Sequence, residues 1–232
     1  MSDAARAPVP EWMDRLRGQI GQVPPSWFSR FLPPEEGGRE SAVLMLFGPD
    51  AAGGEDVVLT ERAHTMRSHP GQVSFPGGSV DPEDDGPVSA ALREAEEEVG
   101  LRSDGVEVVA KLPQLFLQPS QYVVTPVLAW WARQSPIGVQ DTGEVARVVR
   151  APLRELTDPA RRFTVTHPSG YVGPGFEVDG LFVWGFTAGL LSKVLELAGL
   201  DREWDHTVRR PLPEWLRALG DGPPAQREVR RR

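Results

Sequence analysis

The most informative segment of the 232-residue sequence is Arg93-Glu94-Ala95-Glu96-Glu97-Glu98-Val99-Gly100. Three of its glutamates, Glu94, Glu97 and Glu98, are spaced i, i+3, i+4 and therefore share one face of a helix. A neighbouring apolar stripe consists of Val88, Ala91, Leu92, Ala95 and Val99. The pattern predicts a helix over 88–99 that buries one side, presents three carboxylates on another and ends at Gly100.

Three like charges on one helix face repel one another, which lowers stability unless cations lie beside them. Mg²⁺ takes oxygen ligands and often binds through a few carboxylates together with substrate phosphates. The ordinary alternative is a solvated acidic face on a surface helix. The Gly77-Gly78 pair just upstream favours a metal site, because glycine lets the main chain approach a ligand closely.

Further from this helix, strand patterns outnumber helix patterns and do not alternate regularly with them. Extended segments are predicted at 41–47, 56–60, 72–75, 106–112, 123–131, 144–150, 162–166 and 176–184, with a Gly-Pro-Gly turn at 173–175. Helical segments are predicted at 11–20, 152–156 and 186–198, whereas the proline-rich stretch 23–34 is expected to be extended or irregular. This order predicts an α+β fold in which a mixed sheet is flanked by helices.

The chain is expected to contain one domain at 41–200, between a partly irregular N-terminal extension at 1–40 and a C-terminal extension at 201–232. The last dozen residues, which end in three arginines, are expected to be disordered. Trp130, Trp131 and Trp184 are predicted to lie in the core in preference to stacking on a nucleoside. A second core group at helical spacing consists of Leu190, Leu191, Val194 and Leu197.

Composition excludes several classes of site. The sequence has no cysteine, so a disulfide framework, a thiolate zinc site and a cysteine nucleophile are excluded. A formal net charge of −8 disfavours general nucleic-acid binding, which depends on neutralising phosphates with Lys and Arg. No apolar run approaches the roughly 20 residues that span a bilayer, and no signal-peptide pattern is present, so we expect a cytoplasmic protein without a membrane partner.

The segment from Gly78 to Gly100 resembles the signature of the Nudix hydrolases. That signature runs from a glycine through an acidic residue to Arg-Glu, an apolar residue, any residue, Glu-Glu, any residue and Gly. Positions 93–101 match it throughout, with Ala95 as the apolar residue. The acidic position falls on Asp84, and one extra residue separates it from Arg93. The resemblance implies a Nudix-like α/β/α sandwich with a central mixed sheet.

A second set of motifs resembles the coenzyme A pyrophosphatase branch of the Nudix hydrolases. In that branch the signature also has the one extra residue and an aspartate at the acidic position. The set consists of Leu59-Thr60-x-Arg62, Arg67-Ser68-His69, Gly71-Gln72-Val73-Ser74-Phe75-Pro76-Gly77-Gly78, Val124-Thr125-Pro126-Val127, Glu144-Val145 and Trp184-Gly185-Phe186-Thr187-Ala188. Ala63 and Met66 depart from the upstream part of that motif. The resemblance spans about residues 41–200.

The resemblance also implies roles for individual residues. Glu94, Glu97 and Glu98 are the implied ligands of Mg²⁺ or Mn²⁺, while Gly78 either lends its carbonyl to a metal or only makes the turn. Arg93 has an implied structural role, holding the acidic loop through Asp84. The candidates to contact phosphates or the nucleotide are Arg62, Arg67, His69 and Gln72.

One further acid, Glu144, lies where many Nudix proteins have an additional carboxylate from a loop outside the signature. It is a candidate metal ligand or general base, and the alternative is an exposed glutamate at a strand start. The candidates for the catalytic base are Glu94, Glu97 and Glu144.

The implied reaction is hydrolysis of the pyrophosphate bond of coenzyme A or acyl-coenzyme A, giving adenosine 3′,5′-bisphosphate and 4′-phosphopantetheine. One alternative is another small nucleotide, either ADP-ribose or a nucleoside triphosphate. A second is a catalytically silent module that senses a nucleotide metabolite, against which the intact glutamates argue. The N-terminal 40 residues and the arginine tail are candidates for contact with a partner or with the second subunit of a homodimer.

Overall fold

The computed structural model describes residues 6–66, 68–118, 120–168 and 170–219. Arg67 and the arginine-rich end of the chain lie outside the described residues. The helices are α1 Glu11–Ile20, α2 Pro25–Phe28, α3 Pro87–Val99, α4 Leu153–Leu156, α5 Gly185–Leu197 and α6 Glu214–Ala218. The strands are β1 Arg39–Pro49, β2 Glu55–Arg62, β3 Val73–Ser74, β4 Gly77–Ser79, β5 Val106–Lys111, β6 Leu115–Leu117, β7 Tyr122–Trp131, β8 Val145–Pro152, β9 Arg162–Thr166, β10 Val172–Val178, β11 Leu181–Val183 and β12 Arg209–Pro211.

A mixed sheet is built around the long strand β1. Along one edge β1 runs parallel to β7, and along the other it pairs antiparallel with β4 and then with β2. Strand β2 also pairs with β3 and β8, and β7 also pairs with β5 and β6. The mixed sheet expected from the sequence is therefore confirmed, and its first two strands form an antiparallel hairpin.

Alternation along β1 divides the core into two layers. Ala42, Leu44 and Leu46 are buried beneath α3, against Ala91 and Ala95. On the opposite face, Met45 and Phe47 pack with residues of α1 and α5. Because side chains alternate between the two faces of a strand, a strand covered by helices on both faces needs apolar residues at consecutive positions. The result is the expected α/β/α sandwich.

A second, smaller sheet has the strand order β11-β10-β9-β12. The predicted turn at Gly173–Gly175 was wrong, because all three residues lie inside β10. A side chain at Gly175 would collide with Phe163 and Val165 of the paired strand, so close packing explains this glycine. The turn lies instead at Asp179-Gly180, where both residues have positive φ and join β10 to β11.

The remaining differences concern short elements. A four-residue helix, α2, interrupts the stretch predicted to be irregular, and Pro25 occupies its first turn, where a proline costs no hydrogen bond. Strands β4, β6 and β12 and helix α6 have only three to five residues, too few to produce a periodic pattern. All three tryptophans assigned to the core are buried. Among the described residues, no helix is long and apolar enough to cross a membrane.

Candidate functional site

Helix α3 carries the acidic face of the site. Pro87 begins the helix, and Gly100 ends it in the left-handed conformation, donating its N–H to the carbonyls of Ala95 and Glu96. Burial of the alanines against β1 fixes the rotation of the helix about its axis. That rotation points Glu94 and Glu98 into a cavity of about 1240 Å³.

Glu98 is the most deeply buried of these acids, with only 4% of its surface exposed. Burial raises the pKa of Glu98 to about 7, an effect opposed by the hydrogen bond from Gly77 and by the positive charge of Arg62. The negative charges of Glu94 and Glu144 raise this pKa further. A carboxylate under these conditions is stabilised by any cation that enters the cavity.

Glu94 lies directly over Gly78. A Cβ atom at Gly78 would come within 2.5 Å of the Glu94 carboxyl group, so a side chain there would displace that group. Burial also raises the pKa of Glu94, against the opposing effect of Arg93 and with a further rise from Glu97 and Glu144. Burial thus raises the pKa of both cavity acids, although an arginine acts on each of them.

Glu97 is placed differently from the other two. Its side chain is 58% exposed and accepts a hydrogen bond from Arg93 Nη1 at 3.1 Å. It does not line the cavity, although its charge acts on Glu94. The three acids therefore follow one helical edge, with two inside the cavity and the third at its rim.

Arg93 ties the acidic loop to α3. Its Nη2 donates to Asp84 Oδ2 at 3.0 Å and to the carbonyl of Ser79, also at 3.0 Å, while Nη1 donates to Glu94 at 3.1 Å. The guanidinium lowers the pKa of Asp84 through this hydrogen bond. Because one planar group bridges the loop, β4 and the helix, it fixes the orientation of the site's acids.

The two glycines of β4 bring main chain against the acids. Gly77 has φ of +152° and passes so close to Ala42 and Val43 of β1 that no side chain fits. The carbonyl of Gly78 accepts a hydrogen bond from Ser41 Oγ at 2.7 Å.

Residues from the loop between β2 and β3 line the same cavity. Arg62, His69 and Gln72 reach it from this loop, and Glu144 reaches it from the start of β8. The loop and Glu144 are joined through the main chain, since the N–H of Ala63 donates to the Glu144 carbonyl at 2.8 Å. The fourth substrate-binding candidate, Arg67, is in the same loop but lies outside the described residues.

Sequence reasoning missed an aromatic and apolar wall of the cavity. It consists of Phe31 from the N-terminal segment, Phe116 and Leu117 of β6, Tyr122 of β7 and Tyr171 beside β10. The N–H of Phe116 donates to the carbonyl of Phe31 at 3.2 Å, which attaches the N-terminal segment to β6. Strand β6 is too short to be recognised, so nothing in the sequence assigned these residues to the cavity.

The donor set suits a hard divalent cation. The available groups are the carboxylates of Glu94 and Glu98 and the carbonyl of Gly78, all oxygen ligands. Within the described ranges, no three His, Asp or Glu side chains form a group that could hold a metal ion by themselves. An open set fits Mg²⁺, which keeps several waters and completes its shell with substrate phosphates.

The chain is similar in sequence to known proteins. The model of the NUDIX domain matches residues 38–169. A protein of Enterobacter sp. (strain 638), described as an uncharacterized Nudix hydrolase NudL, is 36% identical over 151 residues, covering 62% of this chain and 76% of that protein. The protein of the same description from Yersinia pestis (strain Pestoides F) is 38% identical over 143 residues, covering 60% of this chain and 71% of that protein. Among solved structures, the Nudix hydrolase RenU of M. smegmatis matches with a TM-score of 0.48 and 18% identity, covering 76% of this chain and 98% of that one.

Proposed function

Because the chain belongs to the Nudix family and is a pyrophosphohydrolase, we propose that its substrate is coenzyme A or an acyl derivative of it. The products are adenosine 3′,5′-bisphosphate and 4′-phosphopantetheine. The cofactor is a divalent metal ion, Mg²⁺ or Mn²⁺.

One observation carries the choice of substrate. Arg62, His69 and Gln72 belong to the segment that resembles the coenzyme A branch, and they line the same cavity as Glu94 and Glu98. A motif that only stabilised the fold would not need its polar side chains in that cavity. Arg62 also acts electrostatically on Glu98, so a phosphate bound by Arg62 lies close to the acids.

The dimensions of the cavity support a long substrate. Phe116 and Leu117 pair with β7, which pairs with β1, which pairs with the Gly77-Gly78 segment. Three steps between neighbouring strands amount to roughly 14 Å, so the main chain of β6 lies about that far from the Gly77-Gly78 segment that borders the acids. The pantetheine arm of coenzyme A extends far from the pyrophosphate, whereas a nucleoside triphosphate has no such arm.

Within this proposal, Glu94, Glu97 and Glu98 hold the metal ion, together with the carbonyl of Gly78. The bound ion supplies charge neutralisation at the phosphate oxygens and activation of water. Arg93 and Asp84 keep the acidic loop against the helix. Because Glu97 lies at the rim, its contribution to metal binding is expected to be smaller than that of the two buried acids.

The chemistry is a substitution at phosphorus. A water oxygen bonds to one phosphorus, the bond from that phosphorus to the bridging oxygen breaks, and the bridging oxygen leaves with the second phosphate. Glu144, Glu94 or Glu97 accepts the proton of the water. Arg62 donates to the phosphates, while His69 and Gln72 orient the nucleotide.

The test is a substrate panel with the purified full chain. Coenzyme A, an acyl-coenzyme A, ADP-ribose and nucleoside triphosphates are incubated with Mg²⁺ and then Mn²⁺, and the products are resolved by mass. The matched variants are Glu98→Gln, which removes a cavity charge, and Glu96→Gln, which removes an exposed one. We expect 4′-phosphopantetheine from the wild type and from Glu96→Gln, and almost none from Glu98→Gln.

Other results reject parts of the proposal. Turnover of ADP-ribose or a nucleoside triphosphate alone would retain the pyrophosphohydrolase and remove coenzyme A as the substrate. Thermal stabilisation by a nucleotide without turnover of any panel member would favour a silent sensor. The cytoplasmic location and the homodimer stay predictions from the sequence.

A further inference from the structure

The C-terminal helix α6 covers the outer side of the loop between β2 and β3. The ring of Trp215 stacks on His64 with 6.1 Å between ring centroids and 25° between planes. At Gly71 a Cβ atom would lie 3.1 Å from Trp215 Cζ3 and 3.0 Å from Leu219 Cδ1. Trp215 thus rests against both the side chains and the main chain of this loop.

The inner side of the same loop faces the cavity through Met66 and His69. Two main-chain hydrogen bonds fix the loop ends, from Gly71 N–H to the carbonyl of Arg62 at 3.1 Å and from Ala63 N–H to that of Glu144 at 2.8 Å. A displacement of the loop would therefore move groups proposed to bind substrate. It would also disturb the main chain of Glu144.

Helix α6 is itself held firmly. Leu212 and Leu216 are buried in a cluster with Phe163, Val165 and Trp184. Just upstream, β12 pairs in parallel with β9 of the small sheet. The helix is therefore a fixed support for the loop, anchored on the side away from it.

We infer that Trp215 is a positioning residue for substrate binding, acting through the loop at Ala63–Gly71, and this inference rests on the proposed function of that loop. Trp215 remains 45% exposed, whereas Leu216 on the same helix is buried at 3% exposure. The contacts of Trp215 lie on His64 and Gly71 and not on the core. Loss of the indole should loosen the loop more than it destabilises the fold.

The experiment compares the full chain with Trp215→Ala, Trp215→Phe and the control Glu214→Ala, an exposed change on the same helix. Amide hydrogen exchange is followed in peptides covering residues 62–72 and 88–99. Steady-state KM and kcat are measured with whichever member of the substrate panel the wild type hydrolyses fastest. We expect Trp215→Ala to speed exchange in 62–72 alone and to raise KM about tenfold, with kcat within about twofold. Trp215→Phe should retain most of the wild-type exchange protection and most of the wild-type affinity reflected in KM. Glu214→Ala should change neither the exchange rate nor KM.

Unchanged exchange in 62–72 of Trp215→Ala overturns the inference whatever the substrate proves to be. A looser loop with unchanged KM overturns the role in substrate binding. A fall in kcat of Trp215→Ala as large as the rise in KM, together with faster exchange in 88–99, would indicate general destabilisation. That result would also overturn the inference. Failure of the wild type to cleave coenzyme A rejects only the proposed substrate, because the exchange measurement does not depend on it.

Discussion

The main-chain N–H of Gly77 donates a hydrogen bond to the buried carboxylate of Glu98 at 3.1 Å. This bond joins strand β4 to the last turn of α3. It satisfies one carboxylate oxygen, Oε2. The most buried acid of the site is thus oriented by a main-chain group and not by another side chain.

Glu98→Gln is predicted to abolish activity without harming the fold. The amide oxygen can still accept from Gly77, and loss of a buried charge removes the desolvation cost that raises the pKa of Glu98 to about 7. We expect the melting temperature in EDTA to equal or exceed that of the wild type. We expect kcat/KM to fall by at least about 100-fold, beyond the usual effect of groups that only orient a ligand.

The same variant should lose the stabilisation that Mg²⁺ gives the wild type in a thermal melt. Glu96→Gln, on the exposed side of α3, should keep both activity and metal response. Wild-type activity in Glu98→Gln would show that the metal site lies elsewhere.

Gly78→Ala is predicted to inactivate the enzyme by steric displacement of Glu94. The added methyl group would lie 2.5 Å from that carboxyl group, well inside contact distance, so the acid must move. We expect KM for the metal ion to rise and kcat to fall, measured by Mg²⁺ titration of the hydrolysis rate. Gly18→Ala is the matched control, because open space surrounds Gly18 in α1 and alanine is the better helix former. Full activity in Gly78→Ala would contradict the close approach of Glu94 to β4.

The sequence predicted the acidic helix because its information is local. Apolar spacing set the buried side of α3, and Gly100 marked its end, so the helix agrees with the prediction to within one residue at its start. The long strands β1, β2 and β7 were recognised for the same reason, since each has a run of apolar residues. The spacing predicted that Glu94, Glu97 and Glu98 share one face of a helix, and Glu94 and Glu98 line the cavity whereas Glu97 does not.

What the sequence missed depends on tertiary packing. Helical spacing alone could not show that Glu97 lies at the rim while Glu98 is buried, because that depends on where β4 crosses the helix. The wall formed by Phe31 and Phe116 joins residues far apart in the chain through a three-residue strand. Helix α6 likewise has no periodic pattern, and its contact with Gly71 exists only in the folded chain.

Arg93→Lys is predicted to be damaging although it keeps the charge. The guanidinium of Arg93 reaches Asp84, Glu94, Glu97 and the Ser79 carbonyl at the same time. An ammonium group is a point charge and cannot span these acceptors. We expect the melting temperature to fall by about 2–6 °C and kcat to fall with it, since one or two hydrogen bonds to charged groups are lost.

Arg102→Lys is the control for that substitution, because Arg102 is an exposed residue whose partner Asp104 is exposed as well. Surface pairs of this kind contribute little, so no measurable change in melting temperature is expected. Equal effects of the two substitutions would mean that Arg93 does not organise the acidic loop.

Asp56 provides a pH test that is independent of the active site. It is buried at 2% exposure on β2 and pairs with Arg150 Nη2 at 2.8 Å, yet burial outweighs this pair and raises the pKa of Asp56 to about 6. In the unfolded chain the pKa is about 3.9, so between pH 4 and pH 6 the folded state binds more protons than the unfolded state. The contribution of Asp56 to stability is therefore fully present below pH 4 and is lost as the pH rises through 6.

Asp56→Asn removes this titration while keeping the shape of the side chain. The melting temperature of the wild type minus that of the variant should decrease from pH 4 to pH 6 and stay constant above about pH 7. Asp104→Asn, at an exposed aspartate, is the control substitution. A difference that instead increased with pH would mean that the ion pair with Arg150 outweighs burial and holds the pKa of Asp56 below its ordinary value.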